Sequence, residues 1–207
     1  MSKFSIIFVR HGQTESNVQG KIQGQTNSNL TDLGKEQAHA LAEHLKLYDP
    51  QHLYTSDLGR AQETAGIISE YLKIEPVVDP RIKETSFGYV EGSTWQRVEE
   101  QEPSLSKEWY HHHADVKFPG GESREDVVDR TMSFAHEALK RHSGGTIVAV
   151  THGGLLAALF SHVLKIPKGQ RPLCSIPNTS INIVSYSSDE WKIEAWGNVS
   201  HTKKTKA

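Results

Sequence analysis

A single cysteine, Cys174, stands in 207 residues, so no disulfide can form within the chain and a cytoplasmic, reducing compartment is expected. Neither sign of charge dominates. Lys and Arg number 23 against 25 Asp and Glu, a formal net charge of −2, which offers no global basic field to nucleic acid or anionic lipid. No apolar run approaches a membrane span, and the opening M-S-K-F lacks the charged-then-apolar order of a signal peptide. Neither an H-E-x-x-H nor a Cys-rich spacing suggests zinc, and no aspartate cluster offers Mg²⁺ ligands. Low-complexity linkers and internal repeats are absent as well. With 36% hydrophobic and 23% charged residues, the composition is that of a globular protein long enough to bury a proper core. One residue type is plentiful. Twelve histidines are a first hint of proton or phosphate chemistry.

Patterning then orders the elements. Phe4, Ile6, Ile7, Phe8 and Val9 read as a buried strand. Thr31 caps a helix that carries Leu33, Gln37, Leu41 and Leu45 at helical spacing. A short strand, 52–56, is followed by Asp57 as the cap of a helix from Leu58 to Leu72, and 76–79 is another short strand. Ser123 caps a long helix with Val127, Val128, Met132, Ala135 and Leu139 among its apolar positions. The run T-I-V-A-V-T, 146–151, has the all-apolar look of a strand covered on both faces, and 153–164 returns to helix. Residues 180–186 and 191–196 form a hairpin pair. Strands alternating with helices predict one domain over 1–207. Its expected fold class is α/β, a three-layer α/β/α sandwich with a mostly parallel central sheet and at least one antiparallel strand. The last residues, 201–207, read as a solvated, flexible tail rather than a basic interaction tail.

Chemistry concentrates where strands end. The first strand delivers V-R-H-G, with Arg10 and His11, and the buried strand of the second half delivers V-T-H-G-G, with His152. One such histidine reads as a hydrogen-bonded core residue. Two of them at the carboxyl edge of a parallel sheet could face one ligand, with a glycine behind each to let backbone approach closely. In S-D-L-G-R-A-Q-E-T-A, Arg60 opens a helix; it either pairs on the surface with Glu63 or Glu36 or points over the strand ends. Glu84, in R-I-K-E-T-S-F-G-Y-V-E-G, sits before a loop with Phe87 and Tyr89. It is either a solvated loop residue or a carboxylate in partly apolar surroundings, whose raised pKa would suit a general acid.

Taken in order, R-H-G-Q-T-E-S-N, L-T-D-L-G-K-E-Q-A, S-D-L-G-R-A-Q-E-T-A, R-I-K-E…F-G…E-G, P-G-G-E-S and V-T-H-G-G resemble the histidine phosphatase superfamily over residues 4 to 200. The pattern is similar to the branch of cofactor-dependent phosphoglycerate mutases and broad-specificity phosphatases. The resemblance implies that His11 is the nucleophile and becomes a phosphohistidine. It implies that Arg10, Arg60 and His152 surround the phosphoryl oxygens, with hydrogen bonds from Asn17, Gln23 and the amide of Gly153. Glu84 would protonate the leaving alkoxide and then deprotonate the attacking water. Two arginines and a cationic His152 would replace Mg²⁺, so neither metal nor other cofactor is expected. The same cations should keep His11 neutral. They should also lower the pKa of Glu84, against the need for an acid, so apolar neighbours or the bound dianion must offset them and a neutral to mildly acidic optimum is expected.

Residues 92–122 are expected to act as a lid over the leaving group. They hold Trp95, Trp109, Tyr110 and His111, His112 and His113, but few cations, namely Arg97, Lys107 and Lys117. Similar mutases carry a longer insertion with paired arginines, which this chain lacks. A phosphomonoesterase acting on small phosphorylated metabolites is therefore the reading, with no nucleic acid or membrane partner. The alternatives are a 2,3-bisphosphoglycerate-dependent mutase and an inactive scaffold that binds phosphorylated ligands. A homodimer is compatible with all three. Three consecutive histidines on a helix point about 100° apart and cannot chelate one ion together, so a lid histidine touching substrate is favoured over a metal site and their role stays open. His201 either borders the pocket or lies on the surface.

Overall fold

Side chains in a strand alternate between faces, and Phe4–Arg10 (β1) shows what this accomplishes. Phe4, Ile6 and Phe8 enter one apolar cluster, whereas Ile7 and Val9 enter another on the opposite face. The computed structural model describes residues 3–112, 116–142, 144–170 and 174–205. After β1 come α1 (Glu15–Val18), α2 (Asp32–Leu45), β2 (His52–Thr55), α3 (Gly59–Leu72) and β3 (Pro76–Val78). Then follow α4 (Trp95–Gln101), α5 (Pro103–His112), α6 (Arg124–His142), β4 (Gly145–Thr151), α7 (Gly153–Val163), β5 (Ile181–Ser187) and β6 (Glu190–Asn198).

The six strands lie in the order β3-β2-β4-β1-β5-β6. Strands β1 to β4 pair in parallel and β5 runs against both of its neighbours. Helices α2 and α3 cover the face of Ile7 and Val9 through Leu41, Leu45, Ala61 and Ile68. Helices α6 and α7 cover the face of Phe8 through Val127, Phe134, Leu155 and Leu159. This is the expected three-layer sandwich. Ile147 to Val150 of β4 have no exposed surface, as a strand sealed on both faces must. The hairpin also forms, with Ser188 and Asp189 at φ of 53° and 60° making the two-residue turn that suits twisted strands.

Local chemistry confirms two helix starts and corrects a third. Thr31 Oγ1 accepts from the Gly34 amide at 3.0 Å, and Ser123 and Asp126 cap each other reciprocally at the start of α6. Asp57 is not the cap of α3. Leu58 holds that position without a side-chain bond, and Ser56 Oγ accepts the Leu58 amide at 3.2 Å instead. Leu33 is 46% exposed, because the buried face of α2 runs through Gly34, Ala38, Leu41 and Leu45.

The expected tail begins too early. A 3₁₀ turn, Ser200–Thr205, continues the fold. Its His201 is 6% exposed, lies 5.8 Å from the ring of His44 on α2, and places Nε2 3.3 Å from Thr179 Oγ1. His201 is thus neither at the pocket rim nor on the surface.

The sheet's register decides the site. Arg10 of β1 lies opposite Thr151 of β4, so the next residues, His11 and His152, leave adjacent strands side by side.

Candidate active site

Two buried rings face each other there, with centroids 5.1 Å apart. Nδ1 of His11 is 2.7 Å from the Gly12 carbonyl, which can only accept, so the ring proton sits on Nδ1. Nε2 then carries the lone pair, and Nε of Arg60 donates to it at 3.2 Å. Burial first, then Arg60 and Arg10, push the His11 pKa well below its ordinary value, with the Gly12 bond acting weakly in the other direction. The expected neutral imidazole is therefore imposed by its surroundings. Gly12 permits the geometry, since a Cβ there would meet the Gly34 carbonyl oxygen at 2.4 Å.

His152 corrects an expectation. Burial, then Arg60, His11, Arg10 and Arg130, hold its pKa well below the usual range, so it is neutral rather than cationic. Ser56 Oγ accepts the Leu58 amide and lies 2.8 Å from Nε2 of His152, a pair in which either group can donate. Nδ1 of His152 is buried with no partner among the described residues.

These neutral histidines make stability depend on acid. His201 is held at about 4 by burial and then by His44, against an ordinary 6.5. Its contribution is complete above pH 6.5 and is lost as pH falls towards 4, where the unfolded chain has already gained a proton. That loss amounts to about 3 kcal/mol at most. His11 and His152, depressed in the same sense, add to it at low pH. Urea unfolding at pH 7.5 and 5 should show the drop, and His201→Gln should make it smaller while the share of His11 and His152 remains; equal stability at both values would contradict these environments.

Arg60, 1% exposed, makes no surface pair with Glu63 or Glu36. Its Nη1 donates to the Thr26 carbonyl and its Nη2 to the Gly24 carbonyl, each at 2.7 Å, so the guanidinium lies under the loop and over the strand ends. Arg10 Nη1 donates to the Ile176 carbonyl at 2.7 Å, while its Nε is buried without a partner among the described residues. Unpartnered buried donors are costly, and three cationic or N–H-bearing side chains around one point suit an anion.

Asn17 joins them through Asn178, whose Nδ2 donates to the His11 carbonyl at 3.0 Å and to Asn17 Oδ1 at 3.1 Å. Gln23 Oε1 accepts from Thr14 Oγ1 at 3.1 Å, which ties it to the same loop. Gly153 opens α7 directly against the Arg10 guanidinium.

Glu84 is buried, but its surroundings are not the apolar ones expected. The amides of Thr85 and Leu155 donate to Oε1 at 2.8 and 3.1 Å, and the amide of Gly154 donates to Oε2 at 3.1 Å. The carboxylate therefore seats on the first turn of α7, where the helix dipole favours negative charge. Only a glycine allows this approach, because a Cβ at Gly154 would stand 2.5 Å from Glu84 Oε1. Gly154→Ala should displace the carboxylate and cost about 100-fold in turnover with the fold intact, as misplacements near 1 Å do. Steady-state kinetics beside a thermal melt would check this, and undiminished turnover would contradict it.

Behind Glu84 stand residues that motif spacing did not single out. Arg130 donates to the carbonyls of Arg81, Lys83 and Glu84 at 2.8, 2.7 and 3.1 Å, and to both oxygens of Glu122 at 2.8 and 3.1 Å. Gln25 Nε2 donates to the Glu84 carbonyl at 3.1 Å. An arginine in mid-helix with no motif around it carries no signal of this role.

A cavity of about 410 Å³ opens beside Glu84, Arg10 and Gly153. Phe87, Trp95 and Val116 line it, and α6 and α7 supply Arg124, Val127 and Ala157. The side chains of Trp109, Tyr110, His111, His112 and His113 lie outside the described residues. Among those described, no three His, Cys, Asp or Glu side chains gather as metal ligands, and no helix is long and apolar enough to cross a membrane.

Comparison with known proteins agrees with the geometry. The pattern of the histidine phosphatase superfamily (branch 1) matches residues 6–199. A metal-independent phosphoserine phosphatase from Arabidopsis thaliana is 36% identical, covering 95% of this chain and 82% of its own. A probable phosphoglycerate mutase from Cronobacter sakazakii is 33% identical, covering 95% and 94%. Among solved structures, a mycobacterial glucosyl-3-phosphoglycerate phosphatase in complex with VO3 superposes with a TM-score of 0.84 at 33% identity, covering 95% of this chain and 99% of that one.

Proposed function

The chain belongs to branch 1 of the histidine phosphatase superfamily, and on that footing we propose that it is a metal-independent phosphomonoesterase working through a phosphohistidine on His11. One observation carries the reading. The lone pair on Nε2 of His11 is held beside Arg60, with the unpartnered Nε of Arg10 and Nδ1 of His152 buried around it.

In the first step that lone pair forms the N–P bond, the ester P–O bond breaks, and the leaving oxygen takes a proton from Glu84. Oε2, which accepts one amide against two at Oε1, is the oxygen with room for that proton. In the second step the Glu84 carboxylate takes a proton from water, the water oxygen bonds to phosphorus, and the N–P bond breaks to return the lone pair to His11. Arg10, Arg60 and His152 hold the phosphoryl oxygens, with Asn17, Gln23 and the Gly153 amide completing the shell. The dianion also offsets the guanidiniums, so His152 can gain a proton once phosphate is bound.

The substrates are small phosphorylated metabolites, and the single cysteine suits a cytoplasmic enzyme. The test is phosphate release from a metabolite panel that includes 3-phosphoglycerate, with and without EDTA. We expect release that EDTA leaves unchanged. Formation of 2-phosphoglycerate without phosphate release would identify a mutase instead, and no turnover on any substrate would leave a binding scaffold.

A further inference from the structure

Thr179 is an unusual residue for its place. The Ser180 amide donates to the Pro177 carbonyl at 3.0 Å and closes a four-residue turn with Thr179 third. Its φ is 57°, a value that such turns give to glycine or asparagine and that a β-branched residue avoids. The other non-glycine residues with positive φ among those described, Asp49, Lys73, Lys165, Ser188 and Asp189, are exposed and unbranched at Cβ. Thr179 has no exposed surface. A conformation of this kind persists only where its surroundings over-determine it. Here they can be named. Thr179 Oγ1 donates to the Asn178 carbonyl at 2.7 Å. That carbonyl can only accept, so the contact of Oγ1 with His201 Nε2, at 3.3 Å, takes its proton from the ring. His201 is itself buried, in the turn Ser200–Thr205, and His44 of α2 backs it.

What the strained turn holds is the end of β1. The Thr179 amide donates to the carbonyls of Arg10 and His11, at 3.0 and 3.3 Å. We propose that Thr179 and His201 are positioning residues for the nucleophile. His201 holds Thr179 in the left-handed conformation, and the Thr179 amide then fixes the backbone from which His11 projects. This rests on the phosphatase reading, which makes His11 the nucleophile. Neither side chain lines the cavity beside Glu84, so both act at one remove. Released from His201, a threonine relaxes towards negative φ and its amide swings off the two carbonyls. Nε2 of His11 then leaves the line of attack, which is costly even for shifts near 1 Å.

Glycine separates backbone support from every other role, because it takes positive φ unaided. His201→Phe keeps a buried ring without the donor. It should lower kcat on 4-nitrophenyl phosphate about 10- to 100-fold with KM within about threefold. His201→Gln, which still carries a donor, should lose less than about threefold in kcat. With His201 intact, Thr179→Ala should be as slow as His201→Phe, since a Cβ remains and nothing holds it. Thr179→Gly should stay within about threefold of the parent protein, and should restore His201→Phe to that level. The alanine and glycine pair decides the matter even where His201→Phe does not fold. An unimpaired Thr179→Ala, a Thr179→Gly as slow as Thr179→Ala, or a double variant no faster than His201→Phe would overturn the proposal. The ¹⁵N shifts of the His11 ring, assigned by their loss in His11→Ala, should follow the same order without substrate. They should move in Thr179→Ala and His201→Phe and return with glycine. If the parent turned over no substrate while the shifts kept that order, the phosphatase reading would fall and the positioning would stand. Shifts that ignore the order would overturn the positioning itself.

Discussion

Replacing His11 by alanine should lower phosphate release by about 10⁴-fold or more, as loss of a covalent nucleophile does, while phosphomonoesters still bind. The two halves of that expectation have different causes. Chemistry is lost because the Nε2 lone pair has no substitute, His152 Nε2 being taken by Ser56. Binding survives because Arg10 and Arg60 are fixed by carbonyls of Ile176, Thr26 and Gly24, with which His11 has no part. The variant also removes a buried ring that must stay neutral, so the fold should not suffer in mild acid. Vanadate titration beside steady-state turnover separates the halves. Loss of both together would mean that His11 organises the site rather than reacting in it.

Glu84→Gln has the second large effect, and its signature is a dependence on the leaving group. Glutamine keeps the volume, and its Oε1 can still accept from Thr85 and Leu155. It cannot donate the proton that an alkoxide needs, so turnover of alkyl phosphates should fall about 1,000-fold. A 4-nitrophenolate leaves without that proton, so its first step should survive. The second step still lacks a base to activate water. The variant should therefore release close to one equivalent of nitrophenolate per site in a burst and then stall. Equal losses for alkyl and aryl esters, with no burst, would remove Glu84 from proton transfer.

How far these residues can be read from the sequence depends on the range over which their partners lie. The layers of the sandwich are legible because each strand states its two faces within a few residues, Ile6 and Phe8 on one side and Ile7 and Val9 on the other. His11 and His152 are legible as a pair because both follow apolar strands and meet glycine. Arg60 is ambiguous, since the carbonyls that pull it inward lie 34 and 36 positions away and carbonyls have no residue code. The same holds for Glu84, whose amide partners include Gly154 and Leu155, 70 and 71 positions distant. Its loop looks partly apolar in sequence, yet backbone donors surround the carboxylate. Arg124 falls two residues past the stretch expected to cover the leaving group, so a search of 92–122 for cations passes it by. His201 sits in a short 3₁₀ turn, too brief to show periodicity, and its burial comes from α2.

The central claim is that the phosphoryl group passes through Nε2 of His11. The most direct measurement is to quench the Glu84→Gln variant during its stall, in base, and locate the phosphoryl group by peptide mass spectrometry and ³¹P NMR. The account predicts one phosphohistidine, at His11 and on Nε2, stable in base and lost in acid. A burst with no label on His11, or with the label on His152 or on Nδ1, would contradict it.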